Sequence, residues 1–135
     1  MAISRRTFVK VALATSAATA FGATPSLAGE RTGSLSGRRG YNVSGTVKVV
    51  EKGGKTVVEF GSDYVFDPTK NPPDIKIGFG NGEAYAKGSK IHEELSIKKG
   101  AASFEVPASI KTKNYSELYI YCEQFAVILA VAPLN

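Results

Sequence analysis

Short apolar runs, separated by Gly, Pro and Asn, make up this chain from about residue 43 onward. Ile75, Ile77 and Phe79 alternate with a lysine and a glycine, as in a strand that buries one face. An apolar repeat of 3.6 residues never persists for a dozen positions, and the best helical candidate is one turn near 113–117. The pattern predicts an all-β fold, an antiparallel β-sandwich of about 7–8 short strands.

The expected strands are joined by recognisable turns. Lys52-Gly53-Gly54-Lys55 has the composition of a tight hairpin turn. Residues 68–73 and 80–88 are expected to be loops, and 98–100 a turn. The predicted strands cover 43–50, 56–60, 64–66, 75–79, 91–97, 101–106, 118–122 and 125–132.

The last two predicted strands carry a change of phase. Leu118, Ile120 and Cys122 share one face, whereas the alternating set Phe125, Val127, Leu129 and Val131 has the opposite parity. A bulge or tight turn at Glu123-Gln124 would let both sets face the core. Cys122 is then expected at a strand end that solvent partly reaches.

The first 28 residues resemble a twin-arginine export signal. Ser4 to Lys10 reads SRRTFVK, an uncharged run follows from Val11 to Ala28, and small residues at 26 and 28 suit a signal peptidase. We expect a signal peptide at 1–28, a flexible leader rich in Gly, Ser and Arg at 29–41, and the sandwich domain at 42–135. The expected location is periplasmic or secreted.

A retained membrane anchor is the alternative for this segment. The uncharged run is about long enough to span a bilayer. It contains five hydroxyl side chains together with Gly22 and Pro25, so it is weakly hydrophobic, which favours cleavage over anchoring. No stable membrane span is expected after cleavage.

Charge gives little support to nucleic-acid binding. The chain has 17 basic and 12 acidic residues, a net charge of +5, but Arg5, Arg6 and Lys10 would leave with the signal. The remaining domain carries a charge of about +2, and its basic residues are scattered rather than clustered.

Residue counts exclude several cofactor sites. One His and one Cys cannot build a blue-copper centre, a four-thiolate cluster or a covalent haem site. His92 is expected to be an exposed imidazole. Asp63, Asp67, Asn71, Asp74 and Asn81 place oxygen ligands in loops, but solvated side chains are the favoured interpretation and no metal is assigned. An enzyme ranks lowest, since no acid–base pair occurs at motif spacing.

Cys122 leaves two interpretations open. An unpaired cysteine on a strand commonly behaves as a small buried hydrophobe. An exported thiol meets an oxidising environment, so it must be buried, modified or used. No Lys or Arg is near it in sequence. Tyr119 and Tyr121 project to the opposite face, where they either stack on a ligand or fill the sheet surface.

Three ordered motifs resemble the DM thirteen domain. They are Pro72-Pro73-Asp74-Ile75, then Glu105-Val106-Pro107-Ala108, then the stretch YCEQFAV over 121–127. The resemblance extends over about 43–134. Tyr121 stands where Trp is usual in the family, and Pro73 where Gly is common.

The resemblance implies an electron-transfer module, found alone in bacteria and beside DOMON domains in animal proteins. Its cysteine is proposed to act in redox chemistry, as a bare thiol or as the attachment point of a prosthetic group. Cys122 matches this cysteine, with Tyr121 and Phe125 shaping its surroundings and Asp74 ordering the adjacent loop. The sequence identifies no cofactor, and a redox partner protein is implied.

Two functions therefore stand after the sequence. The leading one is an exported electron-transfer or redox module that uses Cys122. The alternative is a non-enzymatic sandwich that binds a sugar or protein through Tyr119, Tyr121 or the neighbouring loops, with Cys122 as a core residue.

Overall fold

Residues 30–135 are described by a computed structural model and form two antiparallel sheets. The strands of this part of the chain are β1 (Arg31–Ser34), β2 (Ser36–Gly37), β3 (Thr46–Lys52), β4 (Lys55–Phe60), β5 (Ile75–Asn81), β6 (Ala84–Tyr85), β7 (Ala102–Val106), β8 (Glu117–Cys122) and β9 (Val127–Pro133). One short 3-10 helix, Thr112–Asn114, precedes β8. The orders are β1-β3-β4-β7 and β2-β9-β8-β5-β6. The predicted β-sandwich is confirmed.

The β3–β4 hairpin forms where the sequence predicts it. Lys52 pairs with Lys55, and Gly53 and Gly54 have φ values of 56° and 81°. Two consecutive positive φ angles are the geometry of a type I′ turn, which glycine adopts without steric cost. This turn matches the twist of the flanking strands and so fixes their register.

The core lies between the two sheets. One face of β8, with Leu118, Ile120 and Cys122, meets Val47, Val58 and other side chains of the four-stranded sheet within a single apolar cluster. Large aromatic side chains fill the same space, among them Tyr64, Phe66 and Phe79. The alternation seen in the sequence thus reports which face of each strand is buried.

The stretch expected to be a flexible leader differs from that expectation, because it contributes β1 and β2. β1 pairs with four residues of β3, and Leu35 is buried in the core. The composition of this stretch hides its role, since backbone pairing to an otherwise open strand edge requires few apolar side chains.

Two predicted strands, 64–66 and 91–97, are reduced to isolated bridges. Val65 pairs with Ser44 and Lys99, and Ile91 pairs with Ile77, without extending into ladders. The predicted signal peptide lies outside the described residues. Within residues 30–135, no helix is long and apolar enough to cross a membrane.

Candidate functional site

Cys122 is the last residue of β8 and has no solvent exposure. It faces Ile75 on β5 and Val127 on β9. Its thiol donates a hydrogen bond to the carbonyl oxygen of Pro73, at 3.1 Å from the sulfur. The expectation that solvent partly reaches this thiol is therefore wrong for this conformation, because the loop before β5 folds over the strand end.

The loop residue that contacts the thiol is exposed to solvent. It is Pro73, whose carbonyl oxygen accepts the hydrogen bond of the thiol. The loop is tied to the end of β8 by a hydrogen bond of 3.0 Å from the Glu123 backbone N–H to the Asp74 carbonyl. Asp74 has a φ of 57°, a left-handed conformation that Asp tolerates better than most residues. We call Pro73 and Asp74 the thiol cover.

Charged side chains surround the thiol cover. The Lys76 ammonium donates to the Asp74 carboxylate and lies 3.5 Å from a Glu123 carboxylate oxygen, while Lys90 pairs with Glu123. Hydrogen bonding to Asp74 raises the pKa of Lys76, and the bond from Lys90 lowers the pKa of Glu123. These ion pairs tie the loop before β5 to the end of β8.

The two lysines were missed by reasoning along the sequence. Lys76 lies directly across from Tyr121 in the β5–β8 ladder, although 45 positions separate them in the chain. The antiparallel register that brings them together depends on which strands pair, and sequence spacing does not reveal that.

The tyrosines of β8 lie on the outer face of the five-stranded sheet, opposite to Cys122, as predicted. Tyr121 stacks on Tyr85, with ring centroids 4.2 Å apart and an interplanar angle of 14°. Tyr119 is fully buried, and its hydroxyl donates to Glu117 at 2.7 Å. Burial is the main cause that raises the pKa of both Tyr85 and Tyr119. Tyr119 thus fills the sheet surface, whereas Tyr121 remains half-exposed.

Phe125, expected to shape the surroundings of the thiol, does not pack on the core cluster that contains Cys122. It lies in the turn Glu123–Ala126 between β8 and β9, with 61% of its surface exposed. The predicted turn at Glu123-Gln124 is confirmed. The predicted common face of Phe125, Val127, Leu129 and Val131 is wrong, because the register shifts within β9.

The shift is a bulge at Leu129. Ile120 pairs with Ala130 but Tyr121 pairs with Ile128, so the residue between them has no partner on β8. The carbonyl of this bulged residue accepts a hydrogen bond of 2.8 Å from the Arg38 backbone N–H. The bulge thus fixes the position of the turn that follows β2.

The loop carboxylates and amides that could bind calcium do not converge. Asp63 accepts hydrogen bonds from Thr46, and Asp67 accepts them from Asn42 and Thr69. Asp74 is engaged by Lys76, Asn71 by Lys98 and Asn81 by Ser116. His92 is exposed. Within residues 30–135, no group of three or more His, Cys, Asp or Glu side chains is placed to hold a metal ion.

A groove of about 490 Å³ lies on the outer face beside the tyrosine stack. We call it the outer groove. Its walls include Arg38, Arg39, Glu83, Tyr85, Tyr121 and Ile128. Tyr121 joins the two sites, since its ring lines the outer groove and its backbone continues into Cys122 on the inner face.

These features define an all-β sandwich domain with one cysteine sealed at a strand end and an aromatic groove on the opposite face of the same strand. The chain belongs to the electron transfer DM13 family, whose profile matches residues 35–134. No curated protein and no solved structure matches the chain. The protein is thus an electron-transfer domain by family, which implies a redox partner.

Proposed function

We propose that this protein is an exported electron-transfer module in which Cys122 is the redox group. The observation that carries the proposal is the position of the sulfur, directly beneath the carbonyl of an exposed loop residue in a chain of an electron-transfer family. A thiol covered by an exposed loop residue is shielded from solvent in the folded state, and a local movement of that loop is enough to make it reactive.

The chemistry available to one thiol is restricted. An internal disulfide cannot form because the chain has a single cysteine. One route is thiol–disulfide exchange, in which the Cys122 thiolate attacks a disulfide of the redox partner, forms a mixed disulfide and displaces one partner thiolate, so that no further oxidant is needed. The other routes are a sulfenic acid and a covalently attached prosthetic group. The mass of the native protein separates the attached group from the bare thiol.

The thiol cover is expected to control access to the sulfur. Asp74→Ala removes the acceptor of Lys76 and places alanine in a left-handed conformation, which costs roughly 1–2 kcal/mol. We expect this variant to be alkylated at Cys122 about tenfold faster than the wild type under native conditions. The reason is that a local opening made easier by about 1.4 kcal/mol is populated about ten times more often.

Asp63→Ala is the matched control for this measurement. It also removes a loop carboxylate with two hydrogen bonds, to Thr46, but it lies away from the thiol cover. If both variants accelerate alkylation equally, the sulfur becomes reactive only through global unfolding, and gated thiol chemistry is excluded.

Electron transfer itself is tested by Cys122→Ala. We expect this variant to keep its fold and to lose the redox titration of the purified protein. Val127→Ala is the control, because Val127 pairs directly with Cys122 and its truncation weakens the same packing while the sulfur stays. An unchanged titration in Cys122→Ala would assign the redox activity to another group.

Export is proposed from the N-terminal motif. Replacing Arg5 and Arg6 with lysine keeps the charge but removes the paired arginines, and we expect the protein to remain in the cytoplasm. Cell fractionation reports the outcome. Export of the double variant at the wild-type level would contradict the twin-arginine assignment.

A binding module with a structural cysteine is the second candidate. The complete burial of Cys122 in the apolar cluster favours it. In that case ligand binding survives in Cys122→Ala, the wild-type protein shows no redox titration, and alkylation requires unfolding.

A further inference from the structure

The outer groove has one wall made of aromatic rings. Tyr85 and Tyr121 stack nearly in parallel, and the ring of Tyr85 lies over Gly78, where a β-carbon would come within 2.7 Å of it. The absence of a side chain at Gly78 thus seats the stack on the sheet. Because the two half-exposed rings stack on each other, a further ring can add at an outer face of the stack, with few side-chain rotamers to lose.

Two arginines with different surroundings also line the outer groove. The Arg38 guanidinium forms a two-point ion pair with Glu83, at 2.7 and 3.2 Å. Arg39 is exposed, and within the described part of the chain no carboxylate lies within 4 Å of its charged group. The groove therefore presents one uncompensated positive charge.

The backbone fixes the position of the turn that carries Arg39. Arg39 and Gly40 have φ values of 57° and 79°, and the Tyr41 N–H donates to the Arg38 carbonyl at 3.1 Å, which closes a tight turn. The bulged Leu129 accepts the Arg38 N–H and anchors the turn to β9. A guanidinium on an anchored turn suits recognition of a carboxylate or phosphate.

We propose that the outer groove binds a planar aromatic molecule that carries an anionic group, with its ring extending the Tyr85–Tyr121 stack and its anion on Arg39. That this molecule carries electrons rests on the proposed function, whereas its binding in the outer groove does not. A volume of about 490 Å³ falls within the range of small-molecule sites. The ring would lie on the far side of β8 from Cys122.

Flavin mononucleotide and riboflavin are the probes for this site. They share one ring system and differ by a phosphate, and flavin fluorescence is quenched when the ring stacks on tyrosine. With the purified full chain we expect saturable quenching by both, with flavin mononucleotide bound about tenfold more tightly through its charged hydrogen bonds. Equal affinities, or no quenching by either, overturn the proposal.

Variants assign the two contacts. Arg39→Gln should remove the preference for flavin mononucleotide and leave riboflavin binding unchanged, whereas Lys99→Gln, which removes an exposed charge elsewhere, should preserve the preference. Tyr85→Leu should weaken both probes about tenfold because it replaces the stacked ring. If Tyr85→Leu lowers the melting temperature strongly, its binding result reflects unfolding. The proposal then depends on Arg39→Gln, whose exposed position makes a loss of stability small.

Cys122→Ala separates this proposal from the function of the thiol. Cys122 lies on the inner face, so we expect the variant to bind flavin mononucleotide with wild-type affinity even where its redox titration is lost. Loss of probe binding in Cys122→Ala would show that the groove is not an independent site.

Discussion

At the scale of single residues, Cys122 is defined by what surrounds its sulfur. The thiol has apolar neighbours on both adjacent strands and one polar contact, the carbonyl of Pro73. A thiol is a weak donor, so this contact contributes little by itself. Burial shields the sulfur from solvent, and in the proposed function the loop above it controls when it reacts.

Replacement of the sulfur by oxygen tests this description. We expect Cys122→Ser to lower the free energy of unfolding by about 1–3 kcal/mol, because it buries a more polar group in a packed apolar site. Cys122→Ala, which adds no polar group, should cost less. Urea denaturation measures both, and equal stability of the serine variant and the wild type would indicate that water reaches this position.

Asp67 is a second buried residue, with 2% exposure, and it carries a charge. The pKa of Asp67 is lowered from 3.8 to about 2. The main cause is the hydrogen bond from the Thr69 hydroxyl, and the backbone N–H groups of Asn42 and Thr69 add to it. Because its pKa is lower in the folded than in the unfolded protein, ionised Asp67 stabilises the folded state. This contribution is complete above about pH 4 and is lost as the pH falls toward about 2.

We therefore expect Asp67→Asn to flatten the acid limb of stability between about pH 4 and about pH 2, since the amide cannot titrate. Chemical denaturation at a series of pH values gives the profile. Glu94→Gln, at an exposed position, is the matched control. An unchanged slope in Asp67→Asn would mean that other carboxylates account for the acid sensitivity.

At the scale of elements, β5 shows why glycines occur in a strand. Gly78 lies beneath the ring of Tyr85, and a β-carbon at Gly80 would come within 2.0 Å of the Ala84 carbonyl oxygen and 2.8 Å of the Tyr119 ring. Gly78 and Gly80 therefore leave room for aromatic side chains on the outer face of the sheet.

Gly78→Ala should displace the Tyr85 ring and break its stack on Tyr121. We expect a loss of near-UV circular dichroism and a cost of about 1–3 kcal/mol, typical of overpacking. In a Tyr85→Ala background the same change should cost at least about 0.5 kcal/mol less, since the ring it meets is gone. A cost that is identical in the two backgrounds would place the strain in the backbone.

The sequence predicts the strands whose apolar and polar side chains alternate. It does not predict features that depend on which strands pair through their backbones. The hairpin at Gly53-Gly54 and the alternation of Ile75, Ile77 and Phe79 were readable because turn chemistry and burial act locally. The bulge at Leu129, the pairing of β1 and the position of Lys76 across from Tyr121 depend on long-range register.

The candidate site follows the same division. Cys122 was identified because it is the single cysteine, and the outward direction of Tyr121 followed from strand geometry. The thiol cover and the outer groove could not be predicted, because each is assembled from loops that meet β8 only in the folded sheet.

At the scale of the whole molecule, β1 links the two ends of the domain. It pairs with β3 in one sheet, and Thr32 exchanges hydrogen bonds with Asn135, just beyond β9 of the other sheet. Arg31 donates to the Thr112 carbonyl at 3.0 Å. The folded unit therefore extends toward the N-terminus beyond the family match, which begins at residue 35.

This linkage predicts where the chain can be shortened. A chain that begins at Glu30 keeps β1, whereas one that begins at Leu35 leaves the edge of β3 unpaired and removes the contacts to Thr112 and Asn135. Since each lost hydrogen bond costs about 0.5–1.5 kcal/mol, we expect the shorter chain to be less stable by at least about 2 kcal/mol. Urea denaturation of the two chains measures the difference.

Cleavage before Gly29, as the export signal predicts, would retain β1. We therefore expect the mature protein to have the same denaturation midpoint as the chain that begins at Glu30. Equal midpoints for all three chains would show that β1 contributes nothing to the stability of the domain.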